Sequence, residues 1–203
     1  MRTNHKGARN HILERMENEL DSRYTYHDIA HSRTNVMNMA IQFGKASNLD
    51  SHSMALIKTA VAYHDSGFLM RHNDHELGGI LIAEETLPKF GYKAEDIKVI
   101  TGMILATRLP QTPQTYLEAI LADADLSVLG RTDFFGRDRD LRRELLSFGT
   151  KYSDREWYEV QIRFLEAHTY HTFVAKLIGN KQKAENISQL KKRLERIKKR
   201  ELV

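Results

Sequence analysis

Tyr63-His64-Asp65 closes an apolar run, Ala55-Leu56-Ile57-Lys58-Thr59-Ala60-Val61-Ala62, and leads straight into Ser66-Gly67. The run predicts a helix that buries one face and ends by presenting an imidazole beside a carboxylate. Adjacent helical residues point about 100° apart, so at a helix end both can lean on one ion. Neutral imidazole together with carboxylate suits a borderline or hard divalent metal. Gly67 is expected to turn the chain just beyond. Further ligands must come from elsewhere. His27 and His31 stand at i and i+4 in Tyr26-His27-Asp28-Ile29-Ala30-His31, which puts both rings on one helical face. Leu121-Ala122-Asp123-Ala124-Asp125-Leu126 places two acids inside an apolar run. An unpaired buried carboxylate costs several kcal/mol, so each needs a cap, a cation or a metal; a salt bridge to Arg131 or Arg108 is the plain alternative.

These residues need a scaffold, and helical periodicity supplies it throughout, with no convincing strand pair. A first helix is expected near 8–20, with Ile12, Met16 and Leu20 inward, and a second over 28–46, with Gly44 near its end. Asp50 or Ser51 can cap the third, which carries the His-Asp pair. Residues 66–73 read as irregular, and Asp74 as the cap of a fourth helix that stops before Pro88. A fifth covers 94–107. Pro113 suits the first turn of a sixth, which carries both aspartates and ends at Gly130. Helices over 137–147 and 154–178 follow, then a charged one after Gly179-Asn180. Trp157, Gln161, Phe164 and Leu165 read as core. His168 and His171 lack an accompanying acid pattern, so a metal role is not expected there. The reading is a single all-α helical bundle.

At 203 residues the chain is long enough to bury a real core, and 41% hydrophobic with 29% charged residues fits a soluble globular protein. Absence of cysteine excludes disulfides, thiolate metal sites, iron–sulfur clusters and cysteine nucleophiles, and suits a reducing cytoplasm. The start lacks the apolar core of a signal peptide, and no run of about 18 apolar residues could span a membrane. The net charge of +4 owes much to the tail, Lys191-Lys192-Arg193-Leu194-Glu195-Arg196-Ile197-Lys198-Lys199-Arg200. Such a run can attract nucleic acid, but a solvated terminal helix with an apolar stripe of Leu190, Leu194 and Ile197 accounts for it as well.

Taken together, His31, His64-Asp65 and an aspartate of the 123/125 pair resemble the HD-domain superfamily of metal-dependent phosphohydrolases. Its small stand-alone members share a Tyr-His-x-x-x-His opening, a His-Asp-x-Gly-Phe turn, a following His-Glu and an Ala-Asp-Leu-x-x-Leu-Gly segment. Here these read Tyr26-His27-Asp28-Ile29-Ala30-His31, His64-Asp65-Ser66-Gly67-Phe68, His75-Glu76 and Ala124-Asp125-Leu126-Ser127-Val128-Leu129-Gly130. The resemblance implies an HD-type helical domain over 1–180, with its motif core at 26–130, and a basic C-terminal helix over 181–203. It makes His31, His64, Asp65 and Asp125 the metal ligands, with Asp123 orienting a neighbouring ligand. His27 matches the histidine that protonates the leaving oxygen in the cyclic-nucleotide phosphodiesterase branch.

The chain departs from two-metal members in one place. Where those carry a His-His-Glu near the end of the fifth helix, it reads Ile104-Leu105-Ala106-Thr107-Arg108. One divalent ion is therefore implied (manganese, iron, nickel, cobalt or magnesium), and His75, Thr107 and Arg108 are expected to contact a substrate phosphate. Asp65 or Glu76 would align or deprotonate the attacking water, and His27 would assist the leaving group. The implied partner is a small phosphorylated substrate, a nucleotide before any other, with no membrane partner. Two rivals come from other classes: a non-catalytic nucleotide-binding regulatory module with a retained HD pocket, and a helical protein that binds nucleic acid through its basic tail. Oligomeric state has no signature in the sequence.

Overall fold

The structure is a computed structural model that describes residues 3–201. Among the described residues it is helical, without strands: α1 His5–Glu19, α2 Met37–Ala46, α3 Ser51–Tyr63, α4 His75–Thr86, α5 Ala94–Ala106, α6 Tyr116–Asp125, α7 Phe134–Ser147, α8 Asp154–Ala167 and α9 Phe173–Glu201. The helices fall into two compact units. One holds the chain up to Ser22 and His27–Asp125, the other Arg23–Tyr26 and everything from Leu126 on.

In the first unit α3 is the central element, packed by α1, α2, α5 and α6. Its residues Leu56, Ile57, Ala60, Val61, Ala62 and Tyr63 are all buried, which is why the run reads as almost continuously apolar. Asp50 caps it as expected, its carboxylate accepting from the Ser53 N–H at 2.8 Å. Tyr63, fully buried, places its hydroxyl 3.0 Å from Thr86 Oγ1 on α4. The second unit has its own core of Val128, Leu129, Phe134, Leu165, Leu190 and Leu194. Trp157 is buried there, its indole N–H donating to Asp138 at 3.0 Å.

Several local expectations give way to the structure. The segment 66–73 is not all irregular, because Ser66–Leu69 forms a 3-10 turn. Asp74 does not cap α4. Its backbone is left-handed (φ 54°) and its side chain makes no cap bond. The carboxylate goes to Arg108 instead. Pro113 stays outside α6, whose start is set by Thr115 and Glu118. Thr115 Oγ1 accepts from the Glu118 N–H at 3.3 Å, and the Glu118 carboxylate accepts from the Thr115 N–H at 3.3 Å. The α part of that helix ends at Asp125, and Leu126–Gly130 continues as a 3-10 turn. The late break lies at 168–172 rather than at Gly179-Asn180, which sit inside α9. Gly179 is there for approach: a Cβ on it would come within 2.7 Å of the Tyr170 ring.

Candidate metal centre

Four donors meet where α3 ends. His31 opens a π-helical turn, His31–Val36, that runs directly into α2. Asp28 fixes that entry, its Oδ1 accepting from the His31 N–H at 2.9 Å. The wider π turn changes the side-chain phase within the helix, a device concentrated at functional sites. His64 and Asp65 follow α3, and Asp125 is the last residue of α6. His31 Nε2 lies 3.1 Å from Asp125 Oδ1 and 3.5 Å from Asp65 Oδ2. His64 Nε2 lies 3.2 Å from Asp65 Oδ2 and 3.5 Å from Asp125 Oδ1. Ligands about 2.1 Å from a common ion would stand about 3.0–3.4 Å apart at neighbouring positions. The observed edges are of that size.

The donors are prepared for a cation. His64 Nδ1 is 2.8 Å from the Val61 carbonyl, so Nδ1 carries the proton and Nε2 the lone pair. His64 Nε2 and Asp65 Oδ2 are both buried without a hydrogen bond. In the neutral ring these are two acceptors facing one another, and a positive charge between them, a proton or a metal ion, satisfies both. The donor atoms of His31, His64 and Asp65 all fall within 4.8 Å of one another, and the three residues are buried. Asp125 stands slightly outside this tightest group but meets both imidazoles. Burial pushes the His64 pKa down, yet Asp65 and Asp125 outweigh it and hold it well above its ordinary value. Burial pushes Asp65 up, but the neighbouring imidazoles, His64 first and then His75 and His27, hold it well below the usual carboxylate range. Asp125 is likewise depressed: burial opposes the shift, and His31 and His64 impose it. The cluster fits a divalent ion.

Gly67 serves this site by its absence of a side chain and not by turning the chain. The glycines with positive φ, among the described residues, are Gly91 and Gly149. A Cβ on Gly67 would fall 1.7 Å from the His75 carbonyl oxygen, and one on Gly79 would fall 2.9 Å from that of Tyr63. The bare backbones let α4 close onto the His64-Asp65 turn, which brings its first residues to the donors. His75 Nε2 reaches within 3.5 Å of Asp65 Oδ1 and 3.6 Å of Glu76 Oε1. The two oxygens of Asp65 thus face different partners. Phe68 stacks on the His75 ring at 3.9 Å and 15°, and packs His27 on its other contacts at 4.8 Å. His27 stands 5.7 Å from His31 and 6.1 Å from His75, between ring centroids. In the sequence Phe68 is marked by its place in the His-Asp-x-Gly-Phe turn, which gives no hint of this packing role.

The remaining candidates sit further out. Asp123 is fully buried two residues before Asp125 and outside the three-residue donor group. Thr107 is buried, and its hydroxyl donates to the Ile104 carbonyl at 2.8 Å, which commits its proton within α5. Arg108 is half-exposed and ion-paired with Asp74, next to His75 in the chain.

The helical fold that carries these residues is shared by solved structures. A predicted HD superfamily hydrolase from an uncultured Thermotogales bacterium superposes with a TM-score of 0.63 at 18% identity, over 94% of this chain and 91% of that one. Bacillus subtilis YpgQ, solved in complex with ADP, gives 0.64 at 19% identity, over 93% and 95%. A Lactobacillus plantarum protein gives 0.65 at 17% identity, over 93% and 97%. No family model and no curated protein matches the sequence. The all-α, HD-type fold is therefore shared along nearly the whole chain. No helix among the described residues is long and apolar enough to cross a membrane.

Proposed function

We propose that this protein is a metal-dependent phosphohydrolase acting on a phosphoester of a nucleotide or another small phosphorylated metabolite. The observation that carries the reading is the pair of orphaned acceptors, His64 Nε2 and Asp65 Oδ2, buried beside His31. His31, His64, Asp65 and Asp125 would hold one divalent ion: manganese, iron, nickel, cobalt or magnesium. Bound there, such an ion supplies Lewis acidity toward a phosphoryl oxygen and lowers the pKa of a bound water. Asp65 Oδ1 and Glu76 stand beside His75 and can accept a water proton and aim the oxygen at phosphorus. His27, held against Phe68, donates to the leaving oxygen. His75, with its ring fixed by the same phenyl group, and Arg108 are the donors for phosphate oxygens, Arg108 after leaving Asp74. Asp123 is the positioning residue behind Asp125. ADP on the Bacillus subtilis neighbour supports a nucleotide as the substrate class. The cysteine-free chain suits a cytoplasmic setting.

The test is elemental analysis of the purified full chain, paired with phosphate release from a nucleotide panel before and after chelation. The expected result is close to one metal per chain and chelator-sensitive release. Metal without turnover on any nucleotide would favour the regulatory module. No metal, with no response to added manganese or nickel, would overturn the reading.

A further inference from the structure

The start of α3 carries a second polar feature, thirteen residues before His64 and thus about 20 Å away along the helix. A groove of about 660 Å³ opens between the starts of α1 and α3, lined by His5, Lys6, Arg9, Ser51, Met54 and Lys58 among others. None of its lining residues is acidic. Lys6, Arg9 and Lys58 have no ion-pair partner among the described residues. The nearby acids are engaged elsewhere. Asp50 gives its oxygens to the Ser53 N–H at 2.8 Å and the Ser53 hydroxyl at 2.9 Å, and Asp96 meets His52 Nε2 at 3.0 Å. Three cations gathered on one groove with no carboxylate in ion-pair contact repel one another, an arrangement that a bound anion relieves.

His5 is set for the same ligand. Thr59 gives its one hydroxyl proton to the Ala55 carbonyl at 3.0 Å, so the Tyr92 hydroxyl donates to Thr59 Oγ1 at 2.7 Å. Tyr92 therefore accepts from His5 Nδ1 at 2.9 Å, which leaves Nε2 as the second position of the ring to take a proton. The pKa of His5 is lowered by burial, by Arg9 and by His52, with Asp96 opposing. An anion among these groups reverses the repulsion and favours the imidazolium, with N–H at both ring positions.

We propose that this groove binds a diphosphate-bearing small molecule, with Lys6, Arg9, Lys58 and His5 facing its phosphates. Three cations on one groove, with His5 beside them, match two linked phosphates better than one. The shared chemistry is the diphosphate group, which could arrive as free pyrophosphate or as part of a nucleotide. The site is separate from the metal donors, so it stands or falls independently of the proposed hydrolysis.

The experiment is calorimetric titration of the full chain with methylenediphosphonate and with α,β-methylene-ADP, whose P–C–P links resist hydrolysis. Saturable binding is expected, weakened about tenfold or more by Arg9→Gln with Lys58→Gln, and unchanged in Asp65→Ala. Tighter binding of the nucleotide analogue assigns a nucleotide; equal binding assigns the bare diphosphate. In the wild type the His5 ring resonance, identified by its loss in His5→Gln, should titrate at higher pH once ligand is bound. Should the double variant fail to fold by circular dichroism, Lys6→Gln, at an exposed position, must still weaken binding. No saturable binding, equal affinity for sulfate, or loss of binding only in Asp65→Ala would each overturn the proposal.

Discussion

Among the described residues, two buried imidazole nitrogens, one in each unit, lack a hydrogen bond: His64 Nε2 and His168 Nε2. Their surroundings are opposite. His64 donates from Nδ1 to a carbonyl, so in the neutral ring its orphan is a lone pair, and the groups beside it are carboxylates that favour a positive charge there. His168 Nδ1 lies 3.2 Å from Lys183 Nζ, an ammonium with no lone pair to offer, so Nδ1 must accept and the orphan Nε2 carries the hydrogen. The same ammonium also donates to the His168 carbonyl, and it sits 5.5 Å from the centroid of the Tyr170 ring. The carboxylates lift the His64 pKa against burial. Burial, then Lys183 and His171, push His168 down to about 4. Spacing of histidines does not make a metal centre. The tautomer and the sign of the local field do.

The largest effect that separates the two sites is expected from Asp65→Ala. Removing that carboxylate takes away the oxygen shared by both imidazoles, so metal content and phosphate release should fall to background while helical circular dichroism persists. His168→Ala should leave metal content unchanged. An Asp65→Ala protein with full turnover would sink the site assignment. His27→Ala comes next. Loss of a general acid costs roughly 100-fold to 10,000-fold in turnover, here with metal retained. If metal is lost with His27, measured by elemental analysis, the residue is a ligand and not a proton donor.

A smaller effect tests what supports the first site. Gly67→Ala forces a methyl group into the His75 carbonyl, a contact of 1.7 Å unless α4 shifts. The cost should be about 2–3 kcal/mol, seen as a melting temperature lower by about 5–10 °C, together with weaker metal retention as His75 and Glu76 move. A variant with unchanged stability and metal content would mean that α4 can slide without disturbing the donors. The second site should be indifferent to this substitution.

Gly67 also shows how far the sequence could be read. The all-helical fold was legible because α3 and its neighbours carry their apolar periodicity openly, and Asp50 announces a cap. The convergence of His31, His64 and Asp65 was legible as an ordered set of ligand-type residues on separate helices. What the sequence concealed depends on contacts between distant segments. Nothing local distinguishes a glycine that turns the chain from one that admits α4. The π turn at His31 leaves no local pattern, because a π turn differs from an α turn only by which carbonyl each N–H reaches. Asp74 has the residue type of a cap, but Arg108 captures its carboxylate from thirty-four positions away. Lys183 was equally hidden, since a lysine in a basic helix looks solvated until the fold buries it.

The smallest expected effect belongs to that lysine and its histidine. His168 binds its proton with a pKa of about 4 in the folded protein, against 6.5 for an ordinary imidazole. The unfolded chain therefore holds more protons than the folded one between these values, so stability rises with pH across that window. Its contribution is complete above about pH 6.5, declines as pH falls toward 4, and is constant below. Because the ring is only partly buried, solvent screening keeps the change modest. Denaturant titrations at successive pH values measure the slope, and His168→Gln should flatten it within that window. Lys183→Met should reduce it by removing the neighbouring ammonium. It would leave the burial penalty in place, so a slope that vanishes in Lys183→Met would assign the whole shift to charge. An unaltered slope in His168→Gln would show that another histidine supplies the acid sensitivity, and the contrast with His64 would lose its electrostatic basis.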